Sequence, residues 1–196
     1  MPHPSFRRAT EADCSDLVIL GDIAARGIMS WIWSNLAEPG QSWIEVGRER
    51  LRTLPELRSH HSNWHLAVLQ GRTIGAFFGL RLAPAPATMD WSEVSDILRP
   101  LAEMEHLAQG CWLLQAVSLF PEFRGQGLAR PLLLQAEVVA KASGAARIVL
   151  QVEEVNQTAC QCYFRLGYSE WTRRPYVPFP GSRDSGDWIL MAKDLG

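Results

Sequence analysis

No run in this sequence approaches the roughly 18 consecutive apolar residues by which a membrane-spanning helix is recognised, so a membrane partner is not expected. The opening MPHPSFRRATEADC has no apolar core of the secretory type, which leads to the expectation of a cytoplasmic, reducing compartment. Cysteine is sparse. Cys14, Cys111, Cys160 and Cys162 contain no C-x-x-C pair, and the C-x-C pair falls in a helical stretch where positions i and i+2 face apart. Neither zinc nor a disulfide framework is expected, and His60, His61 and His65 follow no metal-ligand spacing. Excess basic charge is missing too: the formal net charge is −2 and no basic run interleaves with aromatics, so nucleic acid is not an expected partner. Internal repeats and low-complexity tracts are also absent.

What remains is an ordinary globular composition, 47% hydrophobic over 196 residues. One domain spanning residues 1–196 is expected, since about 100 to 200 residues per domain is usual. Phe6 to Ala9 reads as an opening strand. Thr10, followed three residues later by Asp13, marks the start of a helix running to about Arg26, and a second helix is expected from Ser42 to Thr53. The tryptophans Trp31, Trp33 and Trp43 lie between or beside these helices. Trp64 to Leu69 and Thr73 to Leu82 flank the turn QGR as a hairpin, and residues 88–108 read as a polar helical insertion. CWLLQAVSLF then forms a strand. After it come a glycine turn, a helix from Leu128 to Ser143, a strand from Arg147 to Val152, a helix from about Thr158 to Leu166, and two strands joined by the loop RRPYVPFPGSRDSGD. In the helix after the turn, Leu128, Leu132, Ala136 and Val139 recur at helical spacing, and Pro131 sits in the first turn, where its missing N–H has no helical partner to lose. The class is α/β.

The glycine turn lies within LFPEFRGQGLARP. Gly125 and Gly127 there stand between a strand and a helix start, where positive φ or close backbone approach to a ligand is accommodated. Unpaired N–H groups at a helix start, with the helix dipole, bind phosphates, and Arg124 and Arg130 add positive charge. A Walker loop is excluded because no Lys-Ser or Lys-Thr follows the glycines, which leaves a nucleotide-hydrolysing enzyme without its lysine and metal-binding hydroxyl. A dinucleotide fingerprint is excluded because Arg130 occupies the third glycine position.

The pattern that fits is R-x-x-G-x-A, here Arg124, Gly127 and Ala129. With it the sequence resembles the GNAT acetyltransferase superfamily, whose pyrophosphate loop reads Gln/Arg-x-x-Gly-x-Gly/Ala. NQTACQCYFRLGY downstream resembles the same superfamily's N-x-x-A-x-x-x-Y-x-x-x-G-F/Y helix, with Asn156, Ala159, Tyr163, Gly167 and Tyr168 in place. On a helix Asn156 and Tyr163 are two turns apart, roughly 10 Å along one face, a spacing an extended thioester arm could touch at both ends.

The resemblance implies a single GNAT-type domain with a mixed, mostly antiparallel central sheet of about seven strands, flanked by helices and splayed at the strand before the pyrophosphate loop. It implies acetyl-coenzyme A as acetyl donor, direct transfer to an amine acceptor, and no metal. The backbone of Arg124, Gly125, Gln126, Gly127, Leu128 and Ala129 is then expected to hold the pyrophosphate. Val117, Ser118 and Leu119 would pair with the pantetheine amides and place an N–H near the thioester carbonyl, Asn156 and Tyr163 would flank the arm, and Tyr163 would protonate the departing thiolate. The strand position at which some relatives carry a basic glutamate is Cys111 here, so Glu103 and Glu105 are the candidate bases, with His106 beside them. Trp31, Trp33 and the Pro-rich loop are candidate acceptor walls, and the resemblance leaves a homodimer open. The alternative function is a coenzyme A-binding sensor or interaction module without catalysis.

Between Thr88 and Gly110 the acidic residues Asp90, Glu93, Asp96, Glu103 and Glu105 face one basic residue, Arg99. That excess leads to the expectation of a cationic amine acceptor.

Overall fold

The computed structural model describes residues 3–84, 86, 88–182 and 186–196. Arg183, Asp184 and Ser185, part of the Pro-rich loop considered as an acceptor wall, lie outside the described residues. Strands are β1 (Ser5–Arg8), β2 (Trp64–Leu69), β3 (Arg72–Arg81), β4 (Trp112–Leu119), β5 (Arg147–Glu153), β6 (Ser169–Pro175) and β7 (Asp187–Asp194). Helices are α1 (Cys14–Ala24), α2 (Ile28–Leu36), α3 (Trp43–Thr53), α4 (Arg99–Leu107), α5 (Ala129–Ala142) and α6 (Gln157–Arg165). The strands form one mixed sheet in the order β1-β2-β3-β4-β5-β7-β6. β4 runs parallel to β5, whereas β1–β2, β2–β3, β5–β7 and β6–β7 are antiparallel. The β4–β5 register covers only Trp112–Leu114 against Ile148–Leu150. The expected class, a mixed and mostly antiparallel seven-stranded sheet flanked by helices, is the one found.

Local chemistry explains where the elements stop. Gln70 (φ 51°) and Gly71 (φ 78°) both have positive φ and join the paired Leu69 and Arg72, a two-residue turn whose twist suits a hairpin. At α3, Ser42 accepts from the Glu45 N–H at 3.3 Å while the Glu45 carboxylate accepts from the Ser42 N–H at 2.8 Å. Such reciprocal caps contribute about 1 kcal/mol.

Two expectations need amendment. Residues 28–36, assigned to no element from sequence, form α2 after Gly27 (φ 97°) breaks the chain away from α1. The insertion over 88–108 is helical only from Arg99, with Pro100 in the first helical turn; ahead of it Asp90 accepts from the Ser92 N–H at 2.9 Å and holds a turn instead.

The chain divides into two compact units. The first comprises residues up to Gly79, with Ala116–Ala136 and Pro180–Ser182. Its core includes Leu17, Leu20, Leu51, Trp64, Leu66, Ile74 and Phe77, each at most 2% exposed, and each such side chain stabilises the fold by roughly 1.5–3 kcal/mol. Trp33 belongs to this core: it stacks on Trp43 with ring planes 10° apart and lies against Gly47, where any side chain would collide with the indole. A buried Trp33 is packing and is withdrawn as an acceptor wall. The second unit comprises Leu80–Gln115, Glu137–Phe179 and the C-terminal stretch. In it α4 packs on β6 and β7, and the core includes Met104, Leu113, Ile148, Leu150, Leu190 and Met191.

Candidate functional site

The first unit carries the glycine turn. β4 ends at Leu119, a short 3-10 turn covers Pro121–Phe123, and α5 begins at Ala129 with Leu128 buried beneath it. Gly125 (φ 74°) and Gly127 (φ 76°) both adopt the left-handed conformation, and a Cβ added at either would meet nothing within 4 Å. Neither glycine is therefore explained by crowding within the protein. Among the described residues, the N–H groups of Gly125, Gln126, Gly127, Leu128 and Ala129 donate to no protein acceptor; the first α5 bonds are Arg130 N–H to the Gly127 carbonyl and Leu132 N–H to the Leu128 carbonyl. Five adjacent donors at a helix start, exposed except at Leu128 and Ala129, are what an anion needs.

Side chains hold this turn from behind. Arg124 Nε donates to the Leu119 carbonyl at 3.3 Å, and Gln126 donates to the Glu122 carbonyl at 2.9 Å. Arg124 thus ties the turn to Leu119, joining two of the sequence-derived segments. In Val117–Leu119, the Ser118 hydroxyl donates to the Leu20 carbonyl at 2.7 Å. Gly75 of β3 lies so close to the Ser118 carbonyl that a side chain there would overlap it. The strand end is fixed before any ligand arrives.

The second unit carries α6. Asn156 is its N-cap, its side chain accepting from the Ala159 N–H at 3.4 Å. Tyr163 lies further along the same helix, 9% exposed. Burial, with Cys162 and Cys160 adding, pushes the pKa of its hydroxyl above the ordinary 10.0. The side chain therefore remains a proton donor at neutral pH.

α4 carries both Glu103 and Glu105, which as i and i+2 face apart, and Glu103 already accepts from Arg174 Nε at 2.8 Å. Asp96 likewise pairs with Arg99 at 2.9 Å. Glu103 and Asp96 of the acidic segment thus both have cationic partners, and Arg174 arrives from 71 residues away in sequence. His106 sits edge-on to Trp91 and contacts Gln109. Cys111 is buried, its thiol pKa pushed up by desolvation, and behaves as a small apolar side chain. Among the described residues no group of three or more His, Cys, Asp or Glu could hold a metal ion.

Sequence reasoning missed Glu137 and Lys193. Glu137 of α5 is 8% exposed, and both its oxygens contact the Lys193 ammonium, at 2.8 and 2.7 Å. A signal was available: Glu137 falls in the stripe Leu133, Ala136, Ala140 at helical spacing, and an acid in such a stripe requires a buried partner.

Comparison with known proteins fits this arrangement. A model of the Acetyltransferase (GNAT) family matches residues 28–168. Mycothiol acetyltransferase of Thermobispora bispora is 28% identical over 144 residues, which cover 69% of this chain and 45% of that protein. The chain thus spans less than half the length of this curated relative. An acetyltransferase crystal structure superposes with a TM-score of 0.65 at 21% identity, covering 98% of this chain and 100% of its own. YncA, a putative acetyltransferase from Salmonella typhimurium solved with its cofactor acetyl-CoA, gives a TM-score of 0.57 at 19% identity over 99% of this chain and 95% of its own.

Proposed function

We propose, from the premise that the chain belongs to the Acetyltransferase (GNAT) family, that it moves an acetyl group from acetyl-coenzyme A directly to an amine. The observation that carries this reading is the turn with two left-handed glycines, open space beside both, and a row of unused N–H donors at the start of α5. A diphosphate fits such a cradle, because donors and dipole are already oriented and no side chain must move.

Acetyl-coenzyme A supplies an acyl carbon activated by its thioester. The backbone of Arg124–Ala129 binds the pyrophosphate, and the backbone of Val117–Leu119 pairs with the pantetheine arm and donates an N–H toward the carbonyl oxygen as charge develops there. Asn156 borders the arm while capping α6. Tyr163 donates its hydroxyl hydrogen to the departing sulfur. With a pKa raised by burial, it acts by strengthening a hydrogen bond as sulfur charge grows rather than by ionising beforehand. Glu103 and Glu105 take the amine proton, directly or through water, with Arg174 balancing Glu103.

One acetyltransferase domain over residues 1–196 is the organisation we assign; the family match from 28 to 168 includes residues of both compact units. No described helix is long and apolar enough to cross a membrane. A reducing, cytoplasmic location is the one we assign, on the four free cysteines. A homodimer is the assembly left open, and light scattering decides it.

The test is release of free thiol from acetyl-coenzyme A over a panel of amines, including the mycothiol class for which the Thermobispora bispora relative is named. Amine-dependent release is expected. Tight coenzyme binding with no release over the whole panel would favour the sensor reading, and no binding at all would remove both.

A further inference from the structure

We propose that Tyr168, anchored by the Glu137–Lys193 ion pair, is a positioning residue that fixes the Tyr163 ring at the place from which its hydroxyl serves acetyl transfer. The inference rests on the role of Tyr163 given above and adds the part of the chain that aims it.

Two links join Tyr168 to Tyr163. The backbone N–H of Tyr168 donates to the Tyr163 carbonyl at 3.1 Å, and that of Gly167 donates to the Phe164 carbonyl at 3.0 Å. With Gly167 at φ 88°, these bonds make the Schellman ending of a helix, in which the residue after the glycine contacts the residue three places inside the helix end. Here both contact residues are tyrosines, with ring centroids 5.8 Å apart and planes tilted by 56°. The backbone and the rings therefore fix the same pair.

Tyr168 is held in turn. Lys193 Nζ lies 5.6 Å from the centre of the Tyr168 ring, and its stem passes Gly167, with Cε 3.8 Å from where a Cβ would stand. Both Glu137 oxygens hold that ammonium. With Lys193 24% and Glu137 10% exposed at their side chains, the pair is part-buried, and removing its charges by volume-matched apolar replacement need not cost stability. The pair sets a cation against a ring face, and the ring sets Tyr163.

The hydroxyl of Tyr168 meets the same ion pair. It is buried, which raises its pKa, beside the Glu137 carboxylate, which also holds Lys193 and pushes that pKa further up. The ring contacts Tyr163 and Lys193 while the hydroxyl lies beside Glu137, so a replacement that keeps the ring separates the two.

The experiment measures kcat and the acetyl-coenzyme A KM for the parent, Tyr168→Leu, Tyr163→Phe and the double variant, in steady-state thiol release. Misplacing a catalytic group by a small distance lowers kcat, here by about tenfold or more for Tyr168→Leu with KM little changed. In the Tyr163→Phe background the same replacement should have less than about a twofold effect, because the group it positions has gone. Tyr168→Phe, which keeps the ring, should rescue kcat. An equal loss from Tyr168→Leu in both backgrounds, or no loss in the parent, overturns the inference and leaves the Tyr163 reading intact. A silent Tyr163→Phe overturns that reading and this inference with it. Should Tyr168→Leu fail to fold, Glu137→Gln with Lys193→Met replaces it in the cycle: the same background-dependent loss supports the positioning unit, and an unchanged kcat overturns it.

Discussion

Gly127 and Gly167 stand at opposite kinds of helix end and share a left-handed backbone, φ 76° and 88°. At Gly127, where α5 begins, a side chain would meet nothing within 4 Å, and the neighbouring N–H groups have no protein acceptor among the described residues. At Gly167, just beyond α6, the Lys193 stem lies 3.8 Å from the Cβ position, and the N–H is bonded to Phe164. One conformation thus serves two ends. The first leaves its polar groups open to solvent or to a ligand; the second closes them within the protein. Substitutions should separate the two, with binding lost at the open end and geometry or stability lost at the closed one.

The largest expected effect is from Gly127→Glu. It places a side chain and a negative charge in the row of donors, so acetyl-coenzyme A binding should fall below detection in calorimetric titration. The fold should survive, since nothing occupies that space. Retained affinity in a folded variant would show that the open end holds something else. Next comes Tyr163→Phe, expected to lower kcat by roughly 10²–10⁴-fold while leaving coenzyme affinity unchanged. Because the Tyr163 pKa is raised above 10.0, the required protonated form persists past that pH. The parental rate profile should show no fall at pH 10 attributable to this residue. Such a fall, absent from Tyr163→Phe, would mean that an exposed phenol is titrating.

Matched alanines sharpen the comparison. Left-handed backbone at a residue bearing a Cβ costs about 1–2 kcal/mol, so Gly127→Ala and Gly167→Ala should lose similar stability in urea denaturation. Only Gly127→Ala should also weaken acetyl-coenzyme A. If both weaken it equally, the contrast between the ends is a matter of stability alone.

How much of this was legible in the sequence follows the range of the interactions. Both glycines, the Ser42 cap, the hairpin at Gln70–Gly71 and the two motifs are local, set by residues within a few positions, and the elements containing them were placed within one or two residues. α2 was missed because its tryptophan-rich run sits between glycines and suggested packing without suggesting a period. Arg174 against Glu103 and Lys193 against Glu137 join residues 71 and 56 positions apart, so only the folded sheet brings them together. The acidic excess of residues 88–110 was a correct count. What the count could not show is that a distant arginine cancels part of it.

The smallest effect, and the one that decides what α4 does, concerns that cancellation. Glu103 and Arg174 are 33% and 29% exposed at their side chains, so their pairing is screened and contributes on the order of 1 kcal/mol at most. Reversing Glu103 and Glu105 to lysine should raise the acceptor KM severalfold without altering coenzyme binding, if these carboxylates draw in a cationic amine. The parental rate should also fall as salt rises, because exposed charges are screened beyond roughly 10 Å at 0.1 M. The reversal also sets a second cation beside Arg174, and that repulsion alone could disturb β6. Glu103→Arg combined with Arg174→Glu resolves the ambiguity. The swap restores the ion pair and the net charge but moves the carboxylate from the helix to the strand. If KM recovers in the swapped protein, Glu103 serves to hold Arg174, and the acceptor role rests with Glu105. If KM stays high although thermal stability returns, the position of the Glu103 carboxylate matters to the acceptor. A response to neither reversal nor salt removes the acidic segment from the reaction, leaving the open glycine turn and Tyr163 as they stand.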